Sequence, residues 1–153
     1  MKKTLVAALL ASFVVIGCGG GGDSDQDLDP IDSPYSTLIG TDPLVRMSFA
    51  SCSAVGINTF AIDTAPRDNG IFMSFRDRSS GSVVLEATLT YQSGDNTNGF
   101  RFSGSLRDLG TGQVADVSSA VLKNNSTTSE VNLAGKIHAT NRGCASDITI
   151  IEI

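Results

Sequence analysis

The apolar residues of this chain recur at every second position over most of its length, and no proline follows residue 66. One face of residues 83–91 is entirely apolar: Val83, Leu85, Ala87, Leu89 and Tyr91. A period of two places successive side chains on opposite faces of a strand. One buried face and one wet face are typical of antiparallel sheet. The pattern therefore predicts an all-β body.

The same alternation predicts eight strands, at 44–51, 54–62, 70–77, 82–92, 98–108, 112–123, 128–139 and 145–153. Short connections rich in Gly, Asn, Asp and Ser separate most of them, and such residues favour turns. Because hairpins join strands that are neighbours, successive strands should pair. The expected fold is an antiparallel up-and-down barrel, or a sandwich, of about eight strands with one disulfide.

The N-terminal segment has the pattern of an export signal. Two lysines precede an apolar run of about 12 residues, which is shorter than the roughly 20 needed to span a bilayer. The run ends in Val15-Ile16-Gly17-Cys18, which resembles the lipobox of bacterial lipoproteins. The resemblance implies that residues 1–17 are a signal peptide and that Cys18 is lipidated. Two or more acyl chains would anchor the protein stably in a membrane.

Residues 18–40 combine a run of four glycines with five closely spaced aspartates. Gly-rich chains are flexible and like charges extend them, so this segment is predicted to be a tether, with residues 41–153 as the β-domain. In lipoproteins of Gram-negative bacteria, Asp after the lipidated Cys commonly retains the protein in the inner membrane. Gly19 stands there instead, which implies an outer-membrane location, with the domain in the periplasm or at the cell surface.

Cys52 and Cys144 remain as an even pair, which in an exported chain predicts a disulfide. It would close a loop of 92 residues and contribute about 4–5 kcal/mol in the chain-entropy model. Cys52 ends the first predicted strand and Cys144 precedes the last. In a closed barrel with an even number of strands these two points are neighbours, so the bond would staple the seam.

Motifs for catalysis or for a cofactor are lacking in the sequence. The single histidine, His138, is interpreted as an exposed strand residue, since a catalytic role would need a nucleophile and an orienting acid. The loop from Asp95 to Gly99 could offer oxygens to calcium, but hairpin turns have the same composition. The net charge of −5 argues against a nucleic-acid groove. We therefore expect no enzyme activity, cofactor, metal or nucleic-acid partner.

Strands two and three carry apolar residues on both faces. Phe60, Ile62 and Phe72 are assigned to the face opposite their apolar neighbours. They could form a second layer of core, be covered by the tether around Tyr35 and Leu38, or form a contact patch for a partner.

Three functions of different kinds fit these features. The first, which is the expected function, is a non-catalytic interaction module that binds another envelope protein; it is supported by the tether, the stapled β-scaffold and the lack of catalytic motifs. The second is a small barrel that binds an apolar ligand, as lipocalin-like barrels do, although the chain has no Trp for the lipocalin motif. The third is an inhibitor of a cell-wall lytic enzyme, because the layout is similar to small disulfide-bonded barrel lipoproteins that inhibit lysozyme. Their Tyr-x-Cys start is replaced here by Ala50-Ser51-Cys52.

Cys18→Ala should abolish incorporation of radiolabelled palmitate, because the sulfur that receives the diacylglyceryl group is removed. Cys52→Ala is the matched control and should keep the label. Label retained in Cys18→Ala would contradict the lipobox assignment.

Overall fold

The computed structural model describes residues 33–51, 55–128 and 130–152. A single 3₁₀ turn, Ser36–Leu38, precedes the sheet. The eight strands are β1 (Gly40–Ser51), β2 (Val55–Arg67), β3 (Gly70–Asp77), β4 (Val83–Asp95), β5 (Gly99–Asp108), β6 (Val114–Asn124), β7 (Leu133–Asn141) and β8 (Cys144–Glu152).

The strands form a closed antiparallel barrel in sequence order, and β8 returns to pair with β1. The closing ladder runs from Val45 opposite Glu152 to Ser51 opposite Ser146. The predicted eight-stranded antiparallel fold is confirmed, and of its two variants the barrel is correct. Strand β3 has the predicted bounds, while β2 and β4 extend beyond theirs.

The core lies inside the barrel. Every second residue of each strand points inward, and these side chains pack against those of the other strands. The largest fully buried side chains of the core are Tyr35, Phe75, Phe102, Leu38, Met47, Ile62, Ile71, Met73, Leu89, Leu122, Leu133 and Ile137. Seven strands and the segment before β1 contribute to this group. The outward positions between these residues are mostly polar and exposed.

The segment from Ser33 to Ile39 fills one end of the barrel, and we call it the plug. Tyr35 is 2% exposed and Leu38 is 0% exposed. The Tyr35 ring lies 5.2 Å from that of Tyr91 and 5.8 Å, edge-on, from that of Phe102, as measured between centroids. Burial raises the pKa of the Tyr35 hydroxyl, while its hydrogen bond to Ser33 opposes that rise. The plug is therefore part of the core.

At the plugged end, the Asp42 side chain links β1 to the start of β7. One carboxylate oxygen accepts a hydrogen bond from the Leu133 backbone N–H at 2.8 Å, and the other accepts one from that of Leu44 at 3.2 Å. The ladder between β1 and β2 is irregular between Asp42 and Val45. Pro43 lies within this irregularity, where a missing N–H costs no ladder bond.

The described body begins before the boundary near residue 40 that the sequence suggests between tether and domain. Tyr35 and Leu38 belong to the core, so the folded body includes residues from Ser33 onward. Two isolated apolar residues among Asp, Pro and Ser gave no periodic signal that could place them inside a barrel. The predicted signal peptide, Cys18 and the tether up to residue 32 lie outside the described residues.

Leu38→Ala should lower the free energy of unfolding by about 2–5 kcal/mol, because it leaves a cavity in the plugged end. Urea unfolding monitored by circular dichroism measures this change. Thr37→Ala is the control and should change stability by less than about 0.5 kcal/mol, since the Thr37 side chain is exposed. A loss in Leu38→Ala no larger than that in Thr37→Ala would contradict a stabilising role for Leu38.

Candidate functional site

A cavity of about 640 Å³ opens at the end of the barrel opposite the plug. We call it the cup. It lies where the odd-numbered strands end and the even-numbered strands begin. The residues that line it are Met47, Phe49, Asn58, Phe60, Val84, Leu85, Leu106, Asp108, Gly110, Gln113, Ala115, Asn141, Arg142, Cys144, Ser146 and Ile148.

The inner part of the cup is apolar. Met47, Phe60, Leu106 and Ile148 line it and are each at most 7% exposed. They lie on four different strands and point inward by the same alternation that builds the core. Below them Phe75 is completely buried. The interior is therefore packed toward the plug and hollow toward the open end.

The rim of the cup is polar and partly preorganised. One Asp108 oxygen accepts hydrogen bonds from the backbone N–H groups of Gly110 at 2.8 Å and Thr111 at 3.0 Å. The Asn141 amide donates to the Gln113 side-chain oxygen at 3.2 Å, which links the β7 end to the β6 start. The first contacts hold Asp108 against its own turn, and the last joins two turns of the rim.

Arg142 contributes the positive charge of the rim. It lies in the two-residue turn between Asn141 and Cys144, which pair across the hairpin. Its φ is 49° and that of Gly143 is 79°. Positive φ at both central positions is the pattern of a type I′ hairpin turn, in which Asn and Gly are the favoured residues.

Cys144 lies in the wall of the cup as the first residue of β8. The β1–β8 ladder brings Ser51 opposite Ser146, so the end of β1 lies beside the start of β8. Cys52 is outside the described residues, and its predicted pairing with Cys144 stays a prediction.

A second group of polar residues lies on the outside of β6, β7 and β8. His138 Nδ1 lies 2.5 Å from an Asp147 carboxylate oxygen, and Ser119 is the register partner of His138 on the other side. Sequence reasoning missed this group because it exists only through strand register. Among the described contacts, no hydrogen bond joins Ser119 to His138.

Its exposure argues against nucleophilic catalysis at this outer group. The side chains of His138 and Asp147 are 44% and 71% exposed. Water competes for such exposed groups, whereas acyl-transfer sites depend on preorganised donors in a water-excluded pocket. We interpret His138 and Asp147 as a surface pair that supports the β7–β8 ladder.

The predicted contact patch does not form on the surface. Phe60 is 4% exposed and Ile62 is 1% exposed, and both point into the barrel. Phe72, on the neighbouring strand, is half-buried on the outside. Of the three alternatives for these residues, burial in the core holds for Phe60 and Ile62. The faces of the two strands are related by their register, in which Ile62 pairs with Phe75.

Two turn carboxylates have lowered pKa values. The Ser79 hydroxyl and the backbone N–H groups of Ser80 and Ser79 donate to Asp77 and lower its pKa. The Asn98 backbone N–H, the Asn98 amide and the Thr97 N–H do the same for Asp95. In the Asp95 loop these donors are hydrogen-bonded to the Asp95 carboxylate oxygens, which are the atoms that a calcium ion would need as ligands. The described residues contain no group of three or more His, Cys, Asp or Glu side chains that could hold a metal.

Comparison with known protein families finds no match, and comparison with curated proteins finds none either. Across the described residues, no helix has both the length and the hydrophobicity to cross a membrane.

Protonation of Asp77 and Asp95 should destabilise the fold at acid pH. Because their folded pKa values lie below the unfolded values, their stabilising contribution is present above the unfolded pKa and is lost as pH falls through the folded pKa. Carboxyl NMR titration should place both midpoints below that of an ordinary aspartate. In the double variant Asp77→Asn and Asp95→Asn, the loss of stability below pH ~4 should be shallower than in the wild type. Identical acid profiles would contradict this role.

Proposed function

We propose that this protein is a non-catalytic binding protein whose barrel holds a small apolar ligand in the cup. The observation that carries the proposal is the cavity of about 640 Å³ at the open end. Small-molecule sites typically have volumes of about 300–1,000 Å³. Barrels of eight strands are just wide enough to hold one small ligand.

The lining determines the class of ligand. Phe49, Phe60, Leu85 and Leu106 present aromatic and aliphatic surface to the cavity. Transfer of apolar surface from water into such a site is favourable by about 25 cal/mol per Å². An apolar group would gain most, and the polar rim would remain near solvent.

The proposal includes attachment of the barrel to a membrane. The lipobox resemblance at Cys18 supports a lipid anchor in the outer membrane of a Gram-negative bacterium. The chain enters the barrel at the plug, and the cup opens at the opposite end. An anchored barrel could therefore present its cup away from the point of entry of its own tether.

The alternative, in which the domain binds another envelope protein, has less support. Its support is the tether, the rigid β-scaffold and the lack of catalytic motifs in the sequence. Of the residues considered for a contact patch, Phe60 and Ile62 are buried. Inhibition of a cell-wall lytic enzyme rests only on the layout of the sequence. The cup is a physical feature that the ligand-binding function uses and the other two do not need.

Fluorescence of the neutral apolar probe N-phenyl-1-naphthylamine tests the proposal directly. All contacts of the described core lie within residues 33–152, so the unlipidated chain from Gly19 onward contains the complete barrel. This chain should bind the probe with saturation and a blue-shifted emission. Ala115→Phe, which fills the cup, should weaken binding at least tenfold.

Ala134→Phe is the matched control. Ala134 and Ala115 are both half-buried and lie on neighbouring strands, but Ala134 points outward while Ala115 lines the cup. The control variant should bind the probe within twofold of wild type. Absence of saturable binding by the wild type, or equal loss in both variants, would refute the cup as a ligand site.

A further inference from the structure

The residues that line the cup include one acidic side chain, Asp108, and one basic side chain, Arg142, and these differ in their contacts. Asp108 already accepts two backbone hydrogen bonds from its own turn. Arg142 is exposed, and the ion pairs found among the described residues involve other side chains. Its guanidinium is therefore the charged group at the rim that is available to a ligand.

The backbone at Arg142 does not favour an arginine. A left-handed conformation brings Cβ close to the following carbonyl oxygen and is unfavourable for residues other than Gly, Asn and Asp. The same turn with Asn or Gly at position 142 would form more readily. Residues held in such conformations cluster at ligand sites, where the side chain has a use that offsets the strain.

The apolar wall and the cationic rim of the cup together form a site suited to an amphipathic ligand. The wall residues Phe49 and Leu85 and the rim residue Arg142 line one continuous cavity. A guanidinium matches carboxylate and phosphate groups in a bidentate geometry. An apolar chain lying in the cup would place its polar end at the rim, where this donor is exposed.

We propose that the ligand of the cup is a single-chain anionic amphiphile, such as a fatty acid, whose head group binds Arg142. This inference rests on the proposed function and adds the charge of the ligand to it. The apolar chain supplies most of the affinity, and Arg142 supplies the preference for an anion.

Ligands that share one alkyl chain and differ only in the head group test the inference. Dodecanoate, dodecyl phosphate and the neutral dodecanol should each displace N-phenyl-1-naphthylamine from the chain of residues 19–153. We expect the two anions to bind at least tenfold more tightly than dodecanol. Whichever anion is preferred distinguishes a carboxylate head from a phosphate head.

Arg142→Asn should remove that preference and leave dodecanol affinity within twofold of wild type. Because Asn tolerates positive φ, the melting temperature of this variant should be equal to or above that of wild type. Arg101→Asn, at an exposed position on the outside of β5, should keep the preference. Raising the salt concentration should weaken anion binding in the wild type more than in Arg142→Asn.

The outcomes separate this inference from the function on which it rests. Equal affinity of the wild type for dodecanoate, dodecyl phosphate and dodecanol would overturn the role of Arg142 but keep the apolar cup. A preference for anions that survives in Arg142→Asn would do the same. If neither the neutral probe nor dodecanol binds the wild type, the proposed function itself fails, and the inference fails with it.

Discussion

The pairing of β1 with β8 is the constraint on which the rest of the molecule depends. An open eight-stranded sheet would leave two rows of unpaired backbone N–H and C=O groups at its edges. The ladder from Val45–Glu152 to Ser51–Ser146 gives both edge strands a partner. Closure also gives the sheet an inner and an outer face, so the side chains that alternate along each strand point either into the barrel or out to solvent. The core, the plug and the cup exist only because the sheet is closed.

The two ends of the barrel differ because only one receives a plug. Tyr35 and Leu38 complete the core at the end where the chain enters, and Asp42 ties this end to the start of β7. At the other end, Phe60 and Leu106 are inward side chains with no segment of similar size among the described residues to cover them. Because side chains and the plug fill only one end, the described part of the barrel is a cup that is open at the other end.

Rim chemistry follows from the hairpin turns. The described turns at the open end reverse the chain within a few residues, and the Asp108 carboxylate is satisfied within its own turn by Gly110 and Thr111. Arg142 differs, since its side chain takes no part in such a turn contact among those described and its backbone conformation disfavours it. This contrast distinguishes a residue used for turn formation from one available for recognition.

The number of strands, their order and the alternation along each strand could be predicted from the sequence, because a period of two and short Gly- and Asn-rich turns are local properties. The sequence could not place Phe60 and Ile62 relative to β3, since faces on different strands are related only by register. Nor could it bring Tyr35 into the core or join sixteen distant residues around one cavity. Those results required closure of the barrel, which depends on contacts between residues far apart in the chain and sets how much space the side chains leave unfilled.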